Sequence, residues 1–250
     1  QGIYPYNLLA LDMAVTNINI NLTDMDTDAD GIPDWWEIQF GFNPSSGMVP
    51  SLVGWWKFDE STGINADNSA STGYDGQLVN MSTSSWVSGK LGNALVFDGA
   101  NDYVRVLQSP ALITGHQYTA SGWVNLSASS NDDYPSIVAD FNNCGGPFKG
   151  FWFGWDSYLS AVGSLVADCQ YSFVYPFYST NVNEVWTHMA TTYDGSTLRI
   201  YLNGELVNSQ SGAFEPAEEG ELRIGWGNDP AANYFWEGML DDIRIYSSAL

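Results

Sequence analysis

Asp26-Thr27-Asp28-Ala29-Asp30-Gly31-Ile32-Pro33-Asp34-Trp35-Trp36-Glu37 carries carboxylates at loop positions 1, 3, 5, 9 and 12, with glycine at 6. Calcium requires such a spacing. A hard cation takes about 6–8 oxygen ligands near 2.4 Å, so alternate side chains of one coiled loop must converge on a point. Gly31 permits the sharp turn, the Ile32 carbonyl supplies the seventh-position oxygen, and Glu37 reaches back bidentately. Carboxylates crowded in this way repel unless a cation sits among them. We expect Ca2+ on Asp26, Asp28, Asp30, Ile32, Asp34 and Glu37, rather than a solvated acidic turn.

A second chemistry lies in Phe148-Lys149-Gly150-Phe151-Trp152-Phe153-Gly154-Trp155-Asp156-Ser157-Tyr158 and in Cys169-Gln170-Tyr171-Ser172-Phe173-Val174-Tyr175-Pro176-Phe177-Tyr178. On a strand, Phe151, Phe153 and Trp155 point to one face and Trp152 to the other. One face must be core. The other presents rings to solvent, and rings beside Asp, Asn or Gln grip the C–H faces and hydroxyls of sugars. The candidate ligand-binding residues are Trp152, Trp155, Asp156, Tyr158, Tyr171 and Tyr175, with Asn228, Asp229, Asn233, Tyr234 and Trp236 on a rim. Against this stands a reading in which every one of these aromatics is core. Cys144 and Cys169, an even pair a strand–turn–strand length apart, are expected to form a disulfide rather than two buried thiols. Calcium and a disulfide together point to an extracellular or cell-surface setting. Catalytic signals are weak: His188 falls in a strand alternating toward the core, His116 lies in a loop, and no paired-His or His-x-Glu spacing exists for zinc.

These residues need rigid elements to hold them. Hydrophobic residues make up 44% of the chain and aromatics 15%, enough for a sizeable core. Seven basic residues stand against 29 acidic ones, a net charge of −22 that repels nucleic acid and anionic membranes. The same charge disfavours sulfated or uronic polymers, unless calcium bridges them or the few cations cluster. No stretch suits a transmembrane helix. Residues 1–21 read as strands or the tail of a preceding domain, and residues 22–47 as the calcium loop plus a short helix from Pro33 to Phe40. Short alternating runs then follow at Leu52–Phe58, Ala94–Phe97, Tyr103–Val106, Tyr118–Val124, Trp186–Tyr193, Thr197–Leu202, Leu222–Ile224 and Met239–Tyr246. Asp75-Gly76, Asp98-Gly99, Asp194-Gly195 and Asn203-Gly204 mark turns between them. The pattern predicts an all-β chain, an antiparallel jelly-roll β-sandwich over residues 48–250.

Leu52 to Glu60, Gly89 to Val104, Trp186 to Glu205 and Gly238 to Tyr246 resemble, in order, motifs of laminin G-like, concanavalin A-like jelly-roll domains. Residues 22–44 resemble the thrombospondin type 3 or dockerin-like calcium repeat. The first resemblance implies a calcium at the sandwich edge among Asp98, Asn101, Asp102, Asp241 and Asp242, with Asp98 and Asp241 the better candidates. It leaves function open, because this fold hosts lectins, binding modules, adhesion domains and glycosidases. The Glu-x-Asp-x-Glu alternation of its retaining hydrolases is missing, and Glu215, Glu218, Glu219 and Glu221 read as an exposed acidic loop. The expectation is a non-enzymatic, calcium-stabilised glycan-binding module, monomeric and part of a larger secreted or surface bacterial protein. The alternatives are an adhesive or structural spacer and, behind it, a glycoside hydrolase or lyase.

Overall fold

A computed structural model of the chain divides it into two units, 1–48 and 49–250. The structure describes Thr27 and Asp34 of the first unit, and of the second residues 52–70, 73–107, 117–130, 133–143, 148–167, 173–212, 221–227 and 234–250. In the first unit the Asp34 carboxylate accepts from the Thr27 amide at 2.7 Å and from its hydroxyl at 2.5 Å. The other expected ligands of that loop, Asp26, Asp28, Asp30, Ile32 and Glu37, lie outside the described residues, as do the strands expected within 1–21.

The second unit is an antiparallel sandwich. One eight-stranded sheet holds β1 (Leu52–Trp56), β4 (Trp86–Ser88), β5 (Asn93–Asp98), β7 (Tyr118–Leu126), β13 (Thr187–Tyr193), β14 (Thr197–Leu202), β15 (Glu205–Ser211) and β17 (Glu237–Tyr246). Their order is β15-β14-β13-β7-β17-β5-β4, with β1 also on β17. The nine-stranded sheet holds β2 (Asn65–Ala66), β3 (Gly76–Val79), β6 (Tyr103–Val106), β8 (Ser136–Asn143), β9 (Phe148–Asp156), β10 (Ala161–Ala167), β11 (Phe173–Val174), β12 (Phe177–Ser179) and β16 (Leu222–Ile224). It runs β11-β10-β9-β8-β16-β6-β3-β2, with β12 also on β10.

Alternation explains which side chains enter the core. In β6, Val104 and Val106 are fully buried while Tyr103 and Arg105 face outward; in β16, Leu222 and Ile224 are buried and Arg223 faces outward. Trp56, Phe58, Phe97, Phe151, Phe153 and Trp236 fill the space between the sheets. Strand β17 ties the first sheet together, pairing with β7 on one side and with β5, then β1, on the other. The handover occurs at a bulge where Asp242 takes a φ of 54° and its Oδ1 accepts from Trp55 Nε1 at 2.6 Å. Among the described residues no helix is long and apolar enough to cross a membrane.

Tyr103–Val106, Thr197–Leu202 and Leu222–Ile224 form strands at the expected bounds. Asn203-Gly204 is the expected two-residue hairpin turn, with φ of 49° and 85° between β14 and β15. Asp75-Gly76 needs correction: Gly76 opens β3, and a Cβ there would fall 2.4 Å from Val104. Close packing on β6, not a turn, excludes a side chain at that position. Trp236, expected on a rim, is fully buried. The strands β2, β3, β4, β11 and β12 escape the sequence reading because runs this short hold too few alternations to register.

Phe153 sits wholly inside this core. Phe153→Ala should therefore lower stability by about 3–5 kcal/mol, read as a shift of the denaturant midpoint with little change in slope.

Candidate functional site

The outer face of the nine-stranded sheet carries a floor of very small residues. Ser136 on β8 pairs with Gly154 on β9, Gly154 with Gly163 on β10, and Gly163 with Phe177 on β12. A Cβ at Gly154 would lie 2.8 Å from Cζ2 of Trp152, and one at Gly163 would lie 2.8 Å from Cε2 of Tyr175 and 3.1 Å from Cζ3 of Trp152. Missing side chains thus allow two large rings to lie down on the sheet. Trp152 Nε1 donates to Ser136 Oγ at 2.6 Å, which fixes the indole and satisfies its only polar atom.

Other rings gather around this anchor. Tyr134 meets Trp152 edge to face at 6.1 Å between centroids and Tyr234 edge to face at 5.4 Å, and lies tilted against Tyr158 at 5.7 Å. Tyr175 lies 6.0 Å from Trp152 and 6.0 Å from Phe177. Trp152 itself is nearly buried under its neighbours, whereas Tyr158 is 70% exposed and Phe177 41%. Two carboxylates hold the phenols. Asp156 Oδ2 accepts from the Tyr175 hydroxyl at 2.7 Å, and its Oδ1 accepts from the Leu159 amide at 3.0 Å. Asp133, on the surface, bonds the Tyr158 hydroxyl. Burial, then the Asp156 hydrogen bond and charge, raises the Tyr175 pKa; the bond to Asp133 raises that of Tyr158. Both phenols stay protonated donors at neutral pH. The result is a connected aromatic surface with hydroxyls and an exposed carboxylate at its margin.

Of the residues expected here, Trp152, Asp156, Tyr158 and Tyr175 converge, with Tyr234 from the expected rim. Trp155 is a correction: it is 6% exposed and belongs to the core with Phe151 and Phe153, which share its face of β9. Tyr171, Asn228, Asp229, Asn233 and both cysteines, Cys144 and Cys169, lie outside the described residues. The sequence reading passed over Tyr134 and Phe177. A tyrosine between Asp133 and Pro135 in a polar loop was the available signal for the first.

Asp98 and Asp241 do not come together. Asp98 pairs with Glu237 and Leu95 with Leu240, so the two aspartates stand roughly 13 Å apart along the strands. Asp98 Oδ1 caps its own turn through the Ala100 and Asn101 amides. His188 is also placed differently from expectation. It points to the outer face of the eight-stranded sheet, half-buried with its ring edge on Trp123 at 5.3 Å. Among the described residues no group of three or more His, Cys, Asp or Glu is arranged to hold a metal.

A family model for the concanavalin A-like lectin/glucanases superfamily matches residues 98–250. No curated protein matches the chain in sequence. In fold it is similar to domain 4 of AbnA, a GH43 extracellular arabinanase from Geobacillus stearothermophilus solved with arabinotriose, at 18% identity and a TM-score of 0.60, over 80% of this chain and 94% of that one. It is similar to the receptor binding domain of botulinum neurotoxin type G, at 13% identity and a TM-score of 0.59, over 80% of this chain and 48% of that one. Botulinum neurotoxin type C, whose cell entry depends upon interaction with two ganglioside molecules, aligns at 12% identity and a TM-score of 0.56, again over 80% and 48%. The chain spans about half the length of these toxin chains.

Asp241 is fully buried, and its Oδ2 accepts from the Lys90 and Leu91 amides at 2.8 Å each while Oδ1 has no partner among the described residues. Burial, opposed by those amides and reinforced by the charges of Asp242 and Asp59, pushes its pKa up to about 7. The folded chain therefore keeps a proton that the unfolded chain loses above pH ~4, so ionisation of Asp241 opposes folding as pH rises toward 7. Asp102, raised to about 6 by burial and then the Asp98 charge, acts in the same direction. His188, lowered to about 4 by burial and then Arg244, acts oppositely, destabilising as pH falls below 6.5. Asp241→Asn keeps the acceptor for Lys90 and Leu91 and removes the ionisation. Its stability relative to the parent should improve by about 2–4 kcal/mol between pH 4 and pH 8, followed by thermal melts across that range. A difference that does not vary with pH would refute the assignment.

Proposed function

Because the chain belongs to the concanavalin A-like lectin/glucanases superfamily, a fold that serves binding and catalysis alike, we propose from its site that it is a non-catalytic carbohydrate-binding module. The carrying observation is the connected ring surface Tyr234–Tyr134–Trp152–Tyr175–Phe177, with Tyr158 beside it, seated on Ser136, Gly154 and Gly163. Sugar C–H faces stack on the outer rings, and sugar hydroxyls bond Asp133 and the phenols. The rings are held by one another and by Asp156, so little side-chain freedom is lost on binding. Asp156 is 2% exposed with both oxygens accepting hydrogen bonds, which suits a brace for Tyr175 better than an acid for glycoside cleavage. The likeness to an arabinanase domain solved with arabinotriose fits the same reading.

The reading extends to a Ca2+-stabilised N-terminal loop formed by Asp26, Asp28, Asp30, Ile32, Asp34 and Glu37, and to work outside the cell as part of a larger polypeptide. The loop spacing supports the first, and the two Thr27–Asp34 bonds draw positions 2 and 9 of that loop together. In the bound loop the carboxylates and the Ile32 carbonyl hold the ion, which offsets their mutual repulsion.

A polysaccharide affinity-gel screen tests the function. Retardation by one polysaccharide class is expected, with Tyr158→Ala weakening it about tenfold (~1.4 kcal/mol) in a protein that still melts normally. Uniform indifference to a broad panel would favour a spacer instead. Excess chelator should open residues 22–44 to proteolysis while the sandwich stays resistant; unchanged cleavage with and without chelator would remove calcium from the account.

A further inference from the structure

The same outer face changes character toward β6 and β16. Along one rung of the sheet Gln77 pairs with Arg105, Arg105 with Arg223, Arg223 with Ala139 and Ala139 with Trp152. Arg223 thus stands two strands from the Trp152 anchor and Arg105 three, roughly 10 and 14 Å away on the same surface. The chain has only seven basic residues and a net charge of −22, yet two of the seven arginines and lysines sit side by side here.

Their geometry is built. One oxygen, Glu221 Oε1, meets Arg105 Nε at 2.9 Å and Arg223 Nε at 3.0 Å. Glu221 hydrogen-bonds the Arg223 guanidinium and makes a close ion-pair contact with that of Arg105, so among the described residues of this patch one carboxylate faces two guanidinium groups. Arg223 is held flat, its guanidinium 4.1 Å from the Trp226 ring and 5.4 Å from Tyr103, while Trp226 stacks on Phe235 at 5.1 Å with planes 10° apart. Arg223 Nε donates to Glu221, while its Nη1 is buried without a hydrogen-bond partner among the described residues. The Arg105 side chain, 40% exposed, presents its free end to solvent. A planar guanidinium fork is suited to a carboxylate.

We propose that this arginine pair is an acidic-sugar subsite, with Arg105 contacting the carboxylate of a uronic or sialic-type residue while the rest of the glycan lies on the rings around Trp152. The proposal rests on the glycan-binding reading and specifies its ligand class. Arg223 supplies charge from behind, and Glu221 and Trp226 position it. The overall negative field repels acidic glycans at long range, but at physiological salt screening acts over about 8 Å, so contact at Arg105 decides the outcome.

Titration calorimetry with sialyllactose and glucuronoxylan oligosaccharides, each beside its carboxyl-reduced form, tests this. At least one acidic oligosaccharide should bind about tenfold more tightly than its reduced form. Arg105→Gln should erase that difference and leave affinity for the reduced form unchanged, because Arg223 keeps its bond to Glu221. Tyr158→Ala should weaken both forms alike. Equal affinity for acidic and reduced forms in the parent would overturn the acidic subsite and leave the glycan reading intact. A preference that survives Arg105→Gln would overturn its location. Absence of binding to either form would overturn the acidic subsite, and the glycan reading then falls only if the broad polysaccharide panel is also negative.

Discussion

Strand β9 is buried on both of its faces, and the molecule is arranged around that constraint. Inward, Phe151, Phe153 and Trp155 fill the space between the sheets; outward, Trp152 and Asp156 are nearly as buried. A strand at the outside of a sandwich ordinarily shows one face to water. Here the outward face is covered by rings from two other segments, Tyr134 before β8 and Tyr175 before β12, with Tyr234 before β17 packed in turn on Tyr134. The candidate site is therefore a third, partial layer of packing rather than loose decoration. Its rigidity comes from the same close contact that stabilises a core.

That third layer exists because the sheet beneath it is thin. Gly154 and Gly163 carry no side chain on two adjacent strands and Ser136 only a short hydroxymethyl on a third, and the indole of Trp152 takes the space this leaves. Glycine weakens a strand interior by roughly 0.5–1 kcal/mol relative to alanine, so the positions are costly unless something fills them. Substituting a larger residue would push Trp152 or Tyr175 off the sheet and dismantle the ring network from below.

Electrostatics divides the faces. Among the described residues, five of the cations lie against aromatic rings or carboxylates in two places. Arg105 and Arg223 share Glu221 beside Trp226, and on the opposite sheet Lys57 and Arg244 flank Trp55 at 4.1 and 4.7 Å while Lys90 lies over Trp123 at 4.7 Å. Arg244 also braces Asp242 at the β17 bulge. In so acidic a protein, scarce positive charge marks places where a ring plane or a backbone irregularity must be fixed.

Period-two alternation was enough to find β6, β14 and β16 to the residue, because each run mixes apolar and polar side chains, and the structure buries Val104, Val106, Leu222 and Ile224 of those runs. The same rule divided β9 into two sets. It could not say which set met solvent, since both contain tryptophan; Gly154 and Asp156 on the parity of Trp152 were the clue that this face was the outer one. Calcium-loop spacing is local and was legible as a spacing, because all its ligands lie within one short loop. Non-local pairing is another matter. That Tyr134 and Tyr234 meet, or that Arg105 lies beside Arg223, follows from β8 and β6 both pairing with β16, between segments far apart in the chain. Sequence alone determined the alternating, turn-punctuated chain and hence an antiparallel sandwich. Only the tertiary structure decided which rings and which cations share one face, because strand order is set by how two whole sheets bury their apolar faces together, and no local run of residues encodes that.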